Sequence, residues 1–248
     1  MRQQRRALST TGALDPGTLS NLELRLSADS LVGADGDPIA TWADTSGNSR
    51  DATGSGISRP FIGTGTAFVP DSPTGRRGAA FDYSQNDNLR GGLPGSPGLE
   101  VSRGFTFYFW FHQSQFGITN QTIWEDDTNG PGLIYSNSSS FIGYGDHTGE
   151  HVSAVLRTEG FHFLVWVFSP PIGTGIATVY QDGVLLLTVT PWDFTNSHGP
   201  QAGYTLGNNR NLNAPYAGTI YDHALFSEAH SPAIINRVAA WGQGFWGF

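Results

Sequence analysis

Three groups of residues have types and spacings that could do chemistry. Glu125 and Asp127 stand two apart just after Trp124. On one strand they would share a face, as a two-carboxylate glycosidase requires. Asp127, however, runs into Thr128-Asn129-Gly130-Pro131, a turn sequence, so the pair reads first as a solvated strand end. His147 and His151 have the His-x-x-x-His spacing that holds a metal when it lies on a helix. Gly149 between them, in a stretch of Gly, Asp and Thr, argues for a loop with two incidental histidines. No Gly-x-Ser-x-Gly elbow occurs, so Ser-His-Asp chemistry has no foundation here.

Recognition chemistry has better candidates. Sugars are held by aromatic platforms beside amide, carboxylate and guanidinium groups. Trp110, His112, Trp124 and the run Asn208-Asn209-Arg210 supply those types, although core packing accounts for the aromatics equally well. Calcium needs several oxygens converging on one point. Asp35 and Asp37, Asp126 and Asp127, and Asp44 are the carboxylates available to it, and each also sits in a routine turn sequence. The expectation is therefore no catalytic residue, no metal site and no cofactor, with calcium the one ion the acidic loops could take.

The elements that must position these groups are strands. Apolar or alternating runs recur at 22–26, 79–81, 105–112, 122–125, 133–135, 141–144, 152–157, 161–168, 176–181, 184–189, 204–207 and 217–226. Between them lie Gly, Pro, Asn, Asp and Ser. In 105–112 every second residue is Phe, which predicts one face in the core. Asp182-Gly183 between two such runs suits a type I′ hairpin. At Trp42-Ala43-Asp44-Thr45-Ser46-Gly47-Asn48 a buried anchor leads straight into a polar turn in which Asp44 and Ser46 bond the local backbone. One helix is expected near the end. Ser231 caps it, Pro232 opens it, Ile234, Ile235, Val238 and Trp241 share a face, and Gly242 stops it.

With 248 residues, 33 Gly, 14 Pro and only 14% charged residues, the chain is turn-rich and has ample core material. It reads as one all-β domain, two packed antiparallel sheets. There is no cysteine, which removes disulfides and thiolate metal sites. The longest apolar runs fall far short of a bilayer-spanning segment, so no membrane partner is expected. Net charge is -8, and all basic residues are arginine. Arg2, Arg5 and Arg6 belong to a polar N-terminal arm over 1–20, which makes the remaining body more acidic still and argues against a nucleic-acid partner. Residues 243–248 form an aromatic tail in which Phe245, Trp246 and Phe248 must dock, either on their own domain or on a partner.

These segments, in this order, resemble the concanavalin A-like lectin/glucanase superfamily, and within it LamG-like domains of bacterial and phage virion proteins. The resemblance rests on Leu24–Leu31, Asp37-Pro38, the Trp42–Asn48 turn, Ala80-Phe81-Asp82 with Asn88-Leu89, and the 161–168 run. It continues through Val179–Val184 around Asp182-Gly183, Gly207, Gly218–Leu225 and the closing helix through Trp241. It covers about residues 20–242 and implies a two-sheet jelly roll over 21–242. Glycosidases of the superfamily carry a Glu-x-Asp-x-x-Glu strand, which Glu125-Asp126-Asp127 does not reproduce.

What the resemblance implies for function is broad, since members bind sugars, cleave them, or build virions. No apolar h-region follows the basic start, so no export signal is expected. A virion component made in the host cytoplasm fits that combination. The leading expectation is a non-enzymatic structural protein of a tailed phage, in a capsid decoration or a tail or fibre role. Arg2, Arg5, Arg6, Phe245, Trp246 and Phe248 would contact other virion proteins or further copies of the chain. A soluble carbohydrate-binding module is the second expectation, and a glycosidase the third.

Overall fold

The computed structural model describes residues 12–63, 72–92, 104–114, 121–126, 133–136, 141–146, 149–156, 159–170, 174–190, 203–208 and 211–248. Among the described residues, sixteen strands, three short 3-10 helices and one α-helix make up the regular structure. The first six strands are short: β1 (Leu22–Ser27), β2 (Thr41–Trp42), β3 (Ala52–Thr53), β4 (Phe61–Ile62), β5 (Ala79–Phe81) and β6 (Leu89–Gly91). Then come β7 (Phe105–Gln113), β8 (Gln121–Asp126), β9 (Leu133–Ser136), β10 (Phe141–Asp146), β11 (Gly149–Leu156) and β12 (Gly160–Ser169). The last are β13 (Ile176–Gln181), β14 (Val184–Val189), β15 (Tyr204–Leu206) and β16 (Gly218–Phe226), followed by α1 (Pro232–Trp246).

They form two antiparallel sheets of eight strands each, as the alternating runs predict. The first runs β14-β13-β12-β7-β16-β5-β4, with β1 also paired to β16; the second runs β11-β10-β9-β8-β15-β6-β3-β2. Phe105, Phe107, Phe109 and Phe111 face the space between the sheets, where Phe107 meets Trp124 of β8 edge-on at 4.7 Å. Trp42 closes one end of this core, and its indole Nε1 donates to the Ser27 carbonyl at 2.9 Å.

Two turns read in the sequence have the expected geometry. The Asp44 carboxylate accepts from the backbone N–H of Arg25, Ser46 and Arg50 and from the Ser46 hydroxyl, all within 2.7–3.0 Å. At Asp182-Gly183 both residues have positive φ, 52° and 80°, as a type I′ turn demands.

The helix differs from expectation at its end. Ser231 does cap it, through its side chain and the Ile234 N–H, but the helix continues past Gly242 to Trp246 and ends at Gly247, whose φ is 90°. Gly242 is there for close approach. A Cβ at that position would lie 1.8 Å from the Trp110 Nε1, so only glycine lets the helix sit on the outer face of β7. As a result the middle of the first sheet is covered on both sides, and every residue of β16 is buried.

Candidate functional site

Most of the candidate residues belong to the scaffold. Trp110 and Trp124 are fully buried, the first under α1 and the second between the sheets, so neither is a sugar platform. Sequence alternation places Trp110 outward from the Phe face correctly; it does not reveal that a helix lies over it. Asn208 is also buried, donating to the Asn86 side-chain oxygen at 2.7 Å and accepting from the Ala214 N–H at 3.1 Å. His112 is half-buried at the end of β7, bonded to the Ser114 hydroxyl at 3.2 Å and edge-on to Phe161. Burial, with His162 nearby, holds its pKa below the ordinary histidine value. Asn209 and Arg210 lie outside the described residues, as do Arg2, Arg5 and Arg6.

The aromatic end docks on its own domain. Trp246 is fully buried against Tyr221, and Phe248 packs on Phe161 and Tyr221 at 5.0 and 5.7 Å. Phe245 lies between Trp241, stacked at 4.8 Å, and the Arg76 guanidinium, 3.7 Å from its centroid. Both faces of that ring are therefore taken. The residues before β1 are equally part of the body. Leu14 donates to the Arg237 carbonyl, Arg237 Nε donates to the Gly12 carbonyl at 2.7 Å, and Asp15 pairs with Arg25 at 2.8 Å.

The ionisable groups inside the molecule hold it together. Asp222 of β16 is fully buried and receives the Arg25 guanidinium at 3.2 and 3.4 Å. Burial pushes its pKa up to about 6, with Arg25 and Ser27 pulling the other way. Burial also opposes the Arg25 charge, but Asp222 and Asp15 outweigh it and the guanidinium pKa is raised. At neutral pH this is a charged pair locking β1 to β16. The Tyr108 hydroxyl, His230 and Glu228 form a chain with contacts of 2.7 and 3.1 Å, but Tyr108 and His230 are buried under the loop leading to α1. Burial pushes the Tyr108 pKa far upward, so it is a clip rather than a proton relay. His223 is stacked on Phe109 at 4.1 Å and held neutral by burial, its pKa lowered to about 3.

Carboxylates offered for calcium or catalysis are dispersed. Asp35 meets Arg77 at 3.3 Å, Asp37 accepts from the Ala34 N–H, and Asp44 is saturated by its own turn. Among the described residues no three His, Asp or Glu side chains converge as a metal site would require. Asp127 and His147 lie outside the described residues. His151 is on β11, opposite Tyr144 in a hairpin with β10 and not on a helix.

One polar surface does emerge from the topology. Strand register aligns Thr41, Thr53, Arg90, Thr205 and Glu125 in a single row across β2, β3, β6, β15 and β8. Their chain neighbours Trp42, Ala52, Leu89, Tyr204 and Trp124 are buried, so alternation turns the row outward. Thr41, Thr53 and Arg90 are exposed, Glu125 is half-buried and Thr205 is covered. The open end thus presents two hydroxyls and a guanidinium on adjacent strands, with the Thr53 hydroxyl donating to the Arg90 carbonyl at 3.2 Å. Threonine next to a buried residue is visible in the sequence. The strand order that lines the threonines up with Arg90 is not.

No family model matches the chain, and no curated protein matches it. Solved structures do. The binding domain of botulinum neurotoxin DC in complex with SialylT superposes with a TM-score of 0.62 at 13% identity, over 91% of this chain and 52% of that one. The same type of domain in complex with rat synaptotagmin II gives 0.58 at 15% identity, over 88% and 51%. Trypanosoma rangeli sialidase gives 0.60 at 12% identity, over 91% and 33%. The chain spans about half the length of the toxin domains and a third of the sialidase. At these identities the likeness shows the fold alone, a two-sheet jelly-roll sandwich of concanavalin A-like form.

Proposed function

We propose that this chain is a non-catalytic carbohydrate-recognition domain displayed on a phage particle. The row of Thr41, Thr53 and Arg90 supports the recognition half of this reading. The Thr41 hydroxyl, the Thr53 hydroxyl oxygen and the Arg90 guanidinium, held on a rigid sheet, match in kind the hydroxyl, carboxylate and ring-oxygen groups of a glycan. That a toxin domain of the same fold was solved in complex with SialylT adds weight. Glu125 adds an acceptor at the covered end of the row, in register with Thr205.

A glycan array of the purified chain tests it directly. Binding is expected, and Arg90→Ala is expected to weaken it at least about tenfold while leaving the thermal transition in place. A blank array for the parent chain overturns the recognition reading. Incubation with β-glucans is expected to give no turnover, and turnover lost in Glu125→Gln would replace binding with hydrolysis.

The particle half of the reading rests on the basic arm. Gly12 and Leu14 are tied to Arg237 on α1, and Arg2, Arg5 and Arg6 precede that point in the sequence of an otherwise acidic chain. Capsid or tail proteins with an acidic face are the partners this suits. Deleting residues 1–11 retains that tie, and so should lower incorporation into particles without unfolding the domain. Unchanged occupancy would count against the arm as anchor.

A further inference from the structure

The polar row on the second sheet has a second line of residues beside it. Between β3 and β6, Thr53 pairs with Arg90 and Ala52 with Gly91, which puts Asp51 and Gly92 next in line. Both are exposed. Asp51 stands two residues before Thr53 with the buried Ala52 between them, so alternation places it on the outward face that carries the row. Arg90 lies diagonally across from it, and diagonal neighbours on paired strands are roughly 7–8 Å apart.

Asp51 and Arg90 carry opposite charges but are not bonded to each other. The Asp51 Oδ1 accepts from the Asp44 N–H at 2.9 Å, and its Oδ2 has no hydrogen-bond partner among the described residues. Small residues leave room around it. A Cβ at Gly92 would meet nothing within 4 Å, and Ala43, next in line on the β2 side, is exposed.

We propose that Asp51 and Arg90 together select a neutral glycan, one ring hydroxyl of which donates to the Asp51 Oδ2 while it or its neighbour on the ring accepts from the Arg90 guanidinium. This rests on the recognition reading above and names the class of sugar that the row admits. A guanidinium only donates and a carboxylate only accepts, whereas a hydroxyl does both. Adjacent ring hydroxyls therefore satisfy the pair, and a sugar carboxylate does not. A uronate or sialate group reaching Arg90 would lie one diagonal from the Asp51 charge, on a chain that already carries a net charge of -8. Like charges so placed oppose binding, and Asp51 thus acts as the repulsive element that specificity requires.

An array that pairs neutral hexose oligosaccharides with their uronate counterparts tests the selection on the purified full chain. The parent is expected to bind the neutral members at least about tenfold more tightly. Asp51→Asn retains the Oδ1 that meets the Asp44 N–H and turns an NH2 donor outward in place of Oδ2, so the thermal transition should stay in place. It is expected to weaken neutral glycans at least about tenfold, the loss of one charge-assisted hydrogen bond, and to narrow the gap to the uronates.

Gly92→Leu is a second variant that leaves both charges in place. Gly92 lies outside the left-handed region and its Cβ direction is open, so the fold accommodates leucine while the sugar loses its room beside Asp51. Binding is again expected to fall at least about tenfold. A blank array for the parent chain sinks the recognition reading and this inference with it. Binding that falls in Arg90→Ala but is unchanged in Asp51→Asn or in Gly92→Leu, or a parent that prefers uronates, overturns the selection by Asp51 and leaves the recognition reading standing.

Discussion

The two sheets are made from the same alternation of inward and outward residues, yet they end up doing different things. In β7 the outward set includes Tyr108, Trp110 and His112; the loop leading to α1 covers the first and α1 the second. In β2, β3 and β6 the outward set is Thr41, Thr53 and Arg90, and among the described residues all three are exposed. A strand pattern therefore tells which side chains leave the core without telling whether they reach water. In this molecule Trp110, which looks like a binding platform in the sequence, fastens a helix. The modest polar row on the opposite sheet is the part whose outward residues stay exposed.

Trp110→Ala attacks that contrast most directly. If Trp110 is a fastener, its loss opens a cavity below Gly242 and Trp241, and chemical denaturation should show about 3–5 kcal/mol of destabilisation. An exposed platform residue would cost less than about 0.5 kcal/mol. Gly242→Ala tests the same contact from the helix side. Its added methyl has no room beside the Trp110 indole, so the helix must shift and the transition temperature must fall.

The sheets also differ in how they bury a carboxyl group. Asp222, in the first, has Arg25. Asp87, beside β6 in the second, accepts the Asp82 N–H at 2.8 Å, but its Oδ1 has no partner. Burial pushes the Asp87 pKa up from 3.8 to about 7, against the Asp82 N–H bond that pulls it down and with the Asp82 charge adding to the rise. The folded form therefore keeps a proton that the unfolded chain has lost between about pH 4 and pH 7, and stability falls as pH rises through that window. Asp87→Asn should remove this slope, raising stability at pH 8 relative to pH 4 by on the order of 3 kcal/mol compared with the parent chain. Thermal melts across pH 4–8 read it, and parallel curves for the two proteins would show that Asp87 is ionised throughout.

Asp44→Ala is the next smaller effect. The Asp44 carboxylate gathers three backbone N–H groups and one hydroxyl in the turn between β2 and β3. Losing it leaves those donors to part-buried surroundings, at a cost of about 2 kcal/mol. The damage should appear as faster hydrogen exchange at Arg25, Ser46 and Arg50, with the β7 and β16 amides unchanged.

That turn was the most legible part of the chain, because its hydrogen bonds are local and each residue type implies its own partner. The hairpin at Asp182-Gly183 was legible for the same reason, and so was the start of α1 at Ser231-Pro232. Gly242 was misleading. A glycine after a periodic apolar run reads as a helix stop, whereas its role here is set by Trp110, which lies on a strand more than a hundred residues earlier. The salt bridge from Arg25 to Asp222 and the row from Thr41 to Arg90 were invisible for a related reason. They depend on which strands lie side by side, and alternation carries no information about strand order. The fold class followed from period and turn chemistry; the candidate surface needed the topology.

Arg90→Ala has the smallest expected effect on stability and the most to say about function. Arg90 is exposed on β6, flanked by Thr53 on β3 and Thr205 on β15. Removing a surface guanidinium should change folding stability by no more than about 1 kcal/mol. A charge-assisted hydrogen bond to a glycan is worth about 1.5–3 kcal/mol, so the same substitution should weaken binding roughly ten- to hundred-fold. Thr53→Val, which keeps the shape and β-propensity but deletes a hydroxyl, should weaken it several-fold. If both variants bind as the parent does while Trp110→Ala binds in proportion to its folded fraction, the row is not the binding surface. The contrast between the sheets would then be one of packing alone.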